Sequence, residues 1–230
     1  MLSVSIIIPT YNEAKNLPLL AEEIFNSVNK KYDAEIIFVD DNSPDGTGDI
    51  AESLGKIFPV KVIHRSGKLG LGSAVREGFL FSERPIVGVM DADLSHDPSV
   101  INTMLEELAS SDIVIGSRFV QGSVVENWIP WRKRLSQIGV FLARRLTGVH
   151  DPLSGYFFLK RSVIEGVVLD TTGYKILLEL LVKGHYKKLK EISYNFRMRK
   201  HSTSKLNNKE YLLFLSQLIR YSLYKYIFHP

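Results

Sequence analysis

The 230-residue sequence predicts an α/β fold, a mostly parallel sheet flanked by helices. Two observations carry that prediction. Short β-branched apolar runs alternate with helical patterns through the first half of the chain, as βαβ units require. Acidic clusters then stand directly after the second and fourth runs, and open α/β sheets bind their ligands outside the carboxyl ends of their strands.

Each element has its own justification. Val4 to Ile8 is an apolar run that ends at Pro9, as a buried parallel strand would. Leu17, Leu20, Ile24 and Val28 recur at helical spacing, so Asn16 to Val28 reads as a helix. Glu35 to Val39 is a second strand, closed by the turn-forming Asp40-Asp-Asn-Ser-Pro-Asp-Gly46. Asp49 to Phe58 is helical, Val60 to His64 is a strand, and the glycine-punctuated Gly67 to Gly72 opens a helix through Phe81. Pro85 to Met90 is the fourth strand, with Asp91 at its carboxyl end. Pro98 to Ala109 is helical and Asp112 to Ile115 is the fifth strand.

After Ser117 the pattern changes. Residues 118 to 150 are basic and hold both tryptophans, Trp128 and Trp131. Strands at Gly155 to Leu159 and Glu191 to Phe196 bracket a helix from Tyr174 to Val182. A polar loop, Lys200 to Asn208, precedes a last helix from Glu210 to Phe228. There is no internal repeat and no low-complexity linker.

Composition narrows the classes. An apolar fraction of 45% with 23% charged residues is that of a globular protein. The net charge of +4 suits an anionic partner without choosing among nucleotide, lipid phosphate and nucleic acid. No recognised nucleic-acid motif is present, which argues against that partner. Without cysteine there is no disulfide framework and no thiolate metal site. The N-terminal run lacks a basic leader and reads as a strand. No stretch reaches the roughly 20 apolar residues of a membrane-spanning helix. The nearest, Tyr211 to Phe228, is interrupted by Gln217, Arg220 and Lys225.

The chemistry centres on Asp91-Ala-Asp93. In an extended segment these two side chains point the same way, so both can approach one divalent cation. Mg2+ or Mn2+ prefers such oxygen ligands and completes its shell with diphosphate and water. That suits departure of a nucleoside diphosphate. A solvated loop with capping aspartates is the competing reading. Asp40 and Asp41 divide in the same way, between turn chemistry and hydrogen bonding to a base or ribose. Tyr11 and Glu13 follow the first strand and face the same edge.

Ile7-Ile-Pro-Thr-Tyr-Asn-Glu13, Val39-Asp-Asp-Asn-Ser-Pro-Asp45 and Met90-Asp-Ala-Asp-Leu-Ser-His96 together resemble the family-2 inverting glycosyltransferases with the GT-A (Rossmann-like) fold. Further segments match in order: Gly70 to Ala74, Gly116 to Phe119, Asp151 to Gly155, Gly173 to Glu179 and Ser204 to Leu206. In this order they favour the polyprenyl-phosphate glycosyltransferases within that family. The resemblance covers about residues 4 to 207.

It implies a catalytic domain over residues 1–207, with a nucleotide-binding half (1–117), an acceptor-binding half (118–207) and a separate C-terminal helix (208–230). It implies that Pro9, Tyr11, Glu13, Val39, Asp40, Asp41 and Ala92 line the nucleotide pocket. Asp91, Asp93 and Ser95 would hold the metal, Mg2+ or Mn2+, although relatives often carry glutamine at the position of Ser95. Arg118, Arg132 and Ser136 would grip the acceptor phosphate. Arg199 and Lys205 match a basic pair on a loop that closes over the donor, and Ser202 departs from the glycine usual there. The implied reaction moves mannose from GDP-mannose to dolichyl or another polyprenyl phosphate. The alternatives are a different donor, such as UDP-glucose, and a non-catalytic nucleotide- or lipid-binding module.

A phosphate acceptor is anionic near neutral pH and needs no general base, whereas a hydroxyl does. The only acid in Gly173 to Val182 is Glu179, set among apolar residues, where a structural ion pair is its expected role. Trp128-Ile-Pro-Trp131 followed by Arg132-Lys-Arg134 combines interfacial aromatics with cations. With a lipid acceptor, that points to a peripheral position on the cytoplasmic face of a membrane, or to a separate anchoring subunit. Leu212, Leu215, Ile219, Leu223 and Tyr226 form a stripe on the last helix, open to three roles: packing on the domain, dimerisation or anchoring.

Overall fold

The computed structural model describes residues 2–125, 130–170, 175–198 and 208–228. In chain order the first half holds β1 (Leu2–Thr10), α1 (Leu17–Ser27), β2 (Tyr32–Asp40), α2 (Thr47–Leu54), β3 (Val60–His64), α3 (Leu71–Phe81), β4 (Ile86–Val89), α4 (Ile101–Glu107) and β5 (Ile113–Ser117). The second half holds β6 (Val124–Val125), α5 (Pro130–Thr147), β7 (Phe157–Lys160), α6 (Ile176–Lys183), β8 (Leu189–Ser193), β9 (Asn195–Phe196) and α7 (Asn208–Phe228).

Seven strands form one sheet in the order β3-β2-β1-β4-β7-β5-β8. Val4, Ile6, Ile7 and Ile8 of β1 are fully buried, as a strand covered on both faces demands. On one face α1, α2 and α4 bury Leu20, Ile24, Leu54 and Met104 against the sheet. On the other, α3 and α6 bury Val75, Phe79, Leu177 and Leu180. Helix α3 comes close because of Gly78, where a Cβ would stand 2.4 Å from Ile7 Cγ2.

Strand order reverses between β1 and β4: β2 and β3 lie on one side of β1, and β4 on the other. A crevice opens at such a switch point, outside the strand carboxyl ends. The loops after β1, β2 and β4 therefore converge there.

The second half completes this sheet rather than building its own. Strand β7 runs antiparallel between β4 and β5, and β8 pairs parallel with β5. The sequence pattern places these strands but carries no sign of their direction or neighbours. The expected strand at 191–196 is two, β8 and β9, with Tyr194 between them. β9 leaves the large sheet to pair with β6. The helix expected from Tyr174 begins at Ile176, and Tyr174 itself lies outside the described residues.

Helix α7 is docked. Phe214, Leu218 and Tyr221 pack with Val140 and Ala143 of α5 and with Leu178 and Val182 of α6. Gly139 lets α5 approach, since a Cβ there would be 3.1 Å from the Phe214 ring. Leu215, Ile219 and Leu223, read from the sequence as the apolar stripe, face outward at 47%, 64% and 57% exposure. The helix is apolar on two sides, and the side with the aromatic rings is the one it buries.

Candidate active site

Loops after β1 and β2 are stitched into one edge. The Asn12 amide donates to Ser43 Oγ, the Glu13 amide to Thr47 Oγ1 and the Ala14 amide to Asp45 Oδ2. Asn12 and Asn42 take positive φ (58° and 56°), which asparagine tolerates better than most residues. Asp40 accepts from Thr10 Oγ1, the Ser43 amide and Ser43 Oγ. Glu13 accepts from Asn16 Nδ2 at 2.6 Å. Pro9 pairs in register with Val39, so these two stand side by side at the sheet end. Beyond them the Tyr11 ring lies under Lys68 Nζ, 4.1 Å from its centroid.

Asp41 joins this edge to the glycine-rich loop. One oxygen accepts from the buried Arg65 guanidinium and the other from the Gly70 amide at 2.8 Å. Arg65 also bonds Glu77 and Ser73 on α3. Thus Asp41 holds the start of α3 against the loop after β2.

The acidic centre differs from the extended geometry read in the sequence. Strand β4 stops at Val89, and Ala92 to Asp93 already form a turn. Leu94, fully inside the core, has φ 64°, a conformation costing an ordinary residue about 1–2 kcal/mol. Such strain concentrates at functional sites. The turn fixes Asp93, whose Oδ1 accepts from both the amide and the hydroxyl of Ser95. Ser95 is therefore engaged as a donor to Asp93.

Asp91 is more open, with its side chain 28% exposed against 6% for residue Asp93. Its amide donates to His96 Nδ1 at 3.1 Å, which leaves the imidazole proton on Nε2, 3.7 Å from Asp91 Oδ2. His96 is buried and stacked on Tyr156, whose hydroxyl donates to the Asp97 carbonyl. A Cβ at Gly155 would sit 3.1 Å from both Asp91 oxygens, so glycine leaves that carboxylate room.

Across from the acidic turn, Arg118 follows β5. Asp151, wholly buried, takes Nε and Nη2 of Arg118 at 2.8 Å each and its amide at 3.0 Å. Glu191 of β8 in turn accepts the amides of His150 and Asp151. Burial disfavours the Arg118 charge, yet Asp151 more than offsets this and raises its pKa above the ordinary value, with a smaller contribution from Asp91. Among the described residues, Arg118 Nη1 has no acceptor, so a donor remains for an anion.

Arg197 closes the arrangement. Its amide donates to the Ser95 carbonyl, and its guanidinium bonds Asp97 and Glu23. The side chains of Arg132 and Ser136 lie outside the described residues, although α5 carries their backbone. Arg199, Lys205 and Trp128 also lie outside them, as does the side chain of Trp131.

The structure thus brings Pro9, Tyr11, Glu13, Val39, Asp40 and Asp41 to one edge, with Asp91, Ala92, Asp93 and Ser95 beside it and Arg118 opposite. Reasoning from sequence passed over His96, Gly155, Tyr194 and Arg197. His96 and Gly155 stand inside motifs already singled out, which was the available signal. Tyr194 and Arg197 gave none.

A mostly parallel sheet with an acidic turn at its switch point is a GT-A-like architecture. Crystal structures of Mycobacterium tuberculosis glucosyl-3-phosphoglycerate synthase share this fold. One, in complex with Mn2+, UDP-glucose and phosphoglyceric acid, has a TM-score of 0.69 at 19% identity, covering 96% of this chain and 78% of that one. Another, with Mg2+ and UDP, has a TM-score of 0.70 at 20% identity, with the same coverage.

The particular family follows from sequence: the chain belongs to glycosyl transferase family 2, matched over residues 5–168. The dolichol-phosphate mannosyltransferase of Pyrococcus furiosus is 43% identical over 228 residues, 96% of this chain and 64% of that protein. The Saccharomyces cerevisiae protein of that name is 32% identical over 96% of this chain and 88% of its own length. The polyprenol monophosphomannose synthase of Mycolicibacterium smegmatis is 41% identical over 76% of this chain and 69% of its own. The chain therefore spans under two thirds of the Pyrococcus relative and most of the yeast one.

Proposed function

We propose that this glycosyltransferase moves mannose from GDP-mannose onto dolichyl or another polyprenyl phosphate, with inversion at the anomeric carbon. The observation that carries the choice of a phosphate acceptor is the state of Glu179. It is 1% exposed, and its Oε1 accepts from Lys183 Nζ at 2.6 Å and from the Asp170 amide. The one acid on α6 is thus consumed in structure, which leaves that helix without a base to offer an acceptor. An acceptor that is already ionised needs none. The names of the relatives supply the sugar and the lipid.

Asp91 and Asp93 offer oxygen ligands only, and the space kept at Gly155 is consistent with an ion and diphosphate beside Asp91. When bound there, Mg2+ or Mn2+ would neutralise charge developing on the departing diphosphate. The chain's own residues do the rest. Ser95 holds Asp93 in place, and the linked loops of Tyr11, Glu13, Asp40 and Asp41 hold the guanosine. Arg118, preset by Asp151, orients the lipid phosphate for in-line attack, joined by Arg132 and Ser136. Arg199 and Lys205 meet the negative charge of the departing GDP.

A lipid acceptor also calls for a membrane surface. Leu215, Ile219, Leu223 and Ile227 of α7 and Phe141 and Leu142 of α5 are exposed apolar residues, with Arg145, Arg220 and Lys225 exposed among them. That combination suits peripheral binding to anionic lipid. Among the described residues, no helix is long and apolar enough to cross a membrane.

The test is transfer of radiolabelled mannose from GDP-mannose into organic-extractable lipid, with dolichyl phosphate and Mn2+ or Mg2+ supplied. Label that enters the lipid phase and disappears with chelator supports the proposal. Label from UDP-glucose in preference to GDP-mannose would overturn the choice of donor.

A further inference from the structure

Tyr194 lies in the gap between β8 and β9, 3% exposed. Its ring is set edge-on to Tyr156 (centroids 5.3 Å apart), His96 (5.8 Å) and Phe196 (6.3 Å). Gly116 makes room for it, since a Cβ there would be 3.3 Å from Tyr194 Cδ1 and 2.8 Å from the Tyr156 ring. The aromatic cage fixes the direction of the phenol. Yet among the described residues the Tyr194 hydroxyl has no hydrogen-bond partner. Buried hydroxyls normally find one, and phenylalanine would fill this cage without the unpaired group.

The charges that act on this hydroxyl are those of the site: Arg118, Asp151, Asp91 and Asp93. Burial raises the phenol above the ordinary tyrosine range against the opposing charge of Arg118, and a phenol keeps its proton near neutral pH even unshifted. It is therefore a donor with no acceptor among the described residues, in an aromatic cage whose Phe196 ring lies 5.6 Å from the Arg118 guanidinium and whose His96 lies 3.7 Å from Asp91. An anionic oxygen arriving between Arg118 and Asp91 is the acceptor that chemistry calls for.

We infer that the Tyr194 hydroxyl is a hydrogen-bond donor to a phosphoryl oxygen bound between Arg118 and the Asp91–Asp93 turn. This rests on the function proposed above, which brings two phosphoryl groups to that place: the diphosphate of the donor and the phosphate of the lipid. Tyr194 then sorts with Arg118 as a substrate-holding group, and its partners His96, Tyr156 and Phe196 as the residues that aim it.

The experiment compares wild type with Tyr194→Phe, which keeps the ring and removes one oxygen. GDP and UDP are each titrated calorimetrically with Mn2+ present, and KM is measured for a short-chain polyprenyl phosphate. A hydrogen bond to a charged oxygen predicts a loss of about tenfold or more in one of these. Weaker nucleoside diphosphate binding assigns the hydroxyl to the leaving diphosphate. A raised acceptor KM with unchanged GDP binding assigns it to the lipid phosphate. The thermal midpoint should stay level or rise, because an unpaired buried hydroxyl has been removed. Unchanged binding and KM, or a midpoint lowered by several degrees, would overturn the inference by showing a structural hydroxyl. Should mannose transfer itself fail while UDP binding falls in Tyr194→Phe, the donor assignment is lost and the role of Tyr194 stands.

Discussion

At the edge proposed to bind the nucleotide, three carboxylates are fastened within their own loops: Asp93 by Ser95 two residues on, Asp40 by Ser43 three on, Asp45 by Thr47 two on; Asp41, held by Arg65 and Gly70, is the exception. The acceptor edge is fastened from afar. Arg118 depends on Asp151, 33 residues away, and Asp151 on Glu191, 40 further. Arg197 reaches back 100 residues to Asp97 and 174 to Glu23. The first edge can take shape as soon as β1, β2 and β4 pair. The second exists only once β7 and β8 have completed the sheet. Damage to the locally fastened carboxylates should therefore cost activity with little loss of stability, and damage at the proposed acceptor edge should cost both.

Asp151→Asn is the most severe break of that pattern. It leaves the Arg118 guanidinium, 15% exposed, without its counter-charge. Removing one partner of a buried pair destabilises by about 3–5 kcal/mol. The expected outcome is a lower midpoint in denaturant together with a raised KM for polyprenyl phosphate. A variant as stable as wild type would show that the acceptor edge is not held by this pair.

Asp93→Asn tests the other edge. The asparagine oxygen can still accept from the amide and hydroxyl of Ser95, so the fold should survive with an unchanged thermal midpoint. Turnover should drop by about 10²-fold, as when a preorganised charge facing a transition state is removed. Loss of stability as large as the loss of activity would erase the distinction between the two edges.

Arg197→Met sits on the boundary. The methionine keeps part of the apolar stem but cuts the ties to Glu23, which is partly solvated, and to Asp97, which is buried. A stability loss of roughly 1–2 kcal/mol is expected, mostly from the bond to buried Asp97, since the exposed Glu23 pair contributes little. Because the Arg197 amide still bonds the Ser95 carbonyl, the acidic turn should stay in place. GDP affinity unchanged while acceptor KM rises would put Arg197 on the acceptor side.

The same division decides what the sequence could tell. Helices α1 to α4 announce themselves through periodicity, because each buries one face, and strands β1 to β5 through short β-branched apolar runs, most of them buried on both faces. Asp40, Asp41, Asp91 and Asp93 were legible because short-range turn chemistry places them at strand ends. The turn at Ala92 to Leu94 was not, because the positive φ of Leu94 is imposed by burial of its side chain in the core, which no local rule foresees. Nor was the antiparallel direction of β7, which depends on where the chain returns after α5. Tyr194 and Arg197 owe their places to residues scattered from Glu23 to Tyr156, so their neighbours in the sequence say nothing of them. Helix α7 shows the same limit, since its apolar stripe was read correctly as apolar and its buried face is the other one.

The smallest effect concerns Asp45, which ties the two nucleotide loops together and gives the comparison its finest test. Its burial would raise its pKa, but bonds from Thr47 and from the amides of Ala14 and Thr47 outweigh this and hold it below the usual 3.8. A carboxylate lowered on folding stabilises the fold above its unfolded pKa, and that contribution is lost as pH falls through the lowered value. Asp45→Asn cannot gain it at any pH. The gap between wild type and variant should therefore shrink as pH falls below 3.8 and widen as pH rises to about 5, after which it stays constant. The residue is exposed, so solvent screening should keep the gap under about 1 kcal/mol, or a few degrees in Tm. Thermal melts from pH 3 to 7 measure it. A gap that is widest at low pH would reverse the sign and show that Thr47 and Ala14 do not stabilise the ionised form. A gap of ten degrees or more at neutral pH would mean that the nucleotide edge is as deeply built into the fold as the acceptor edge.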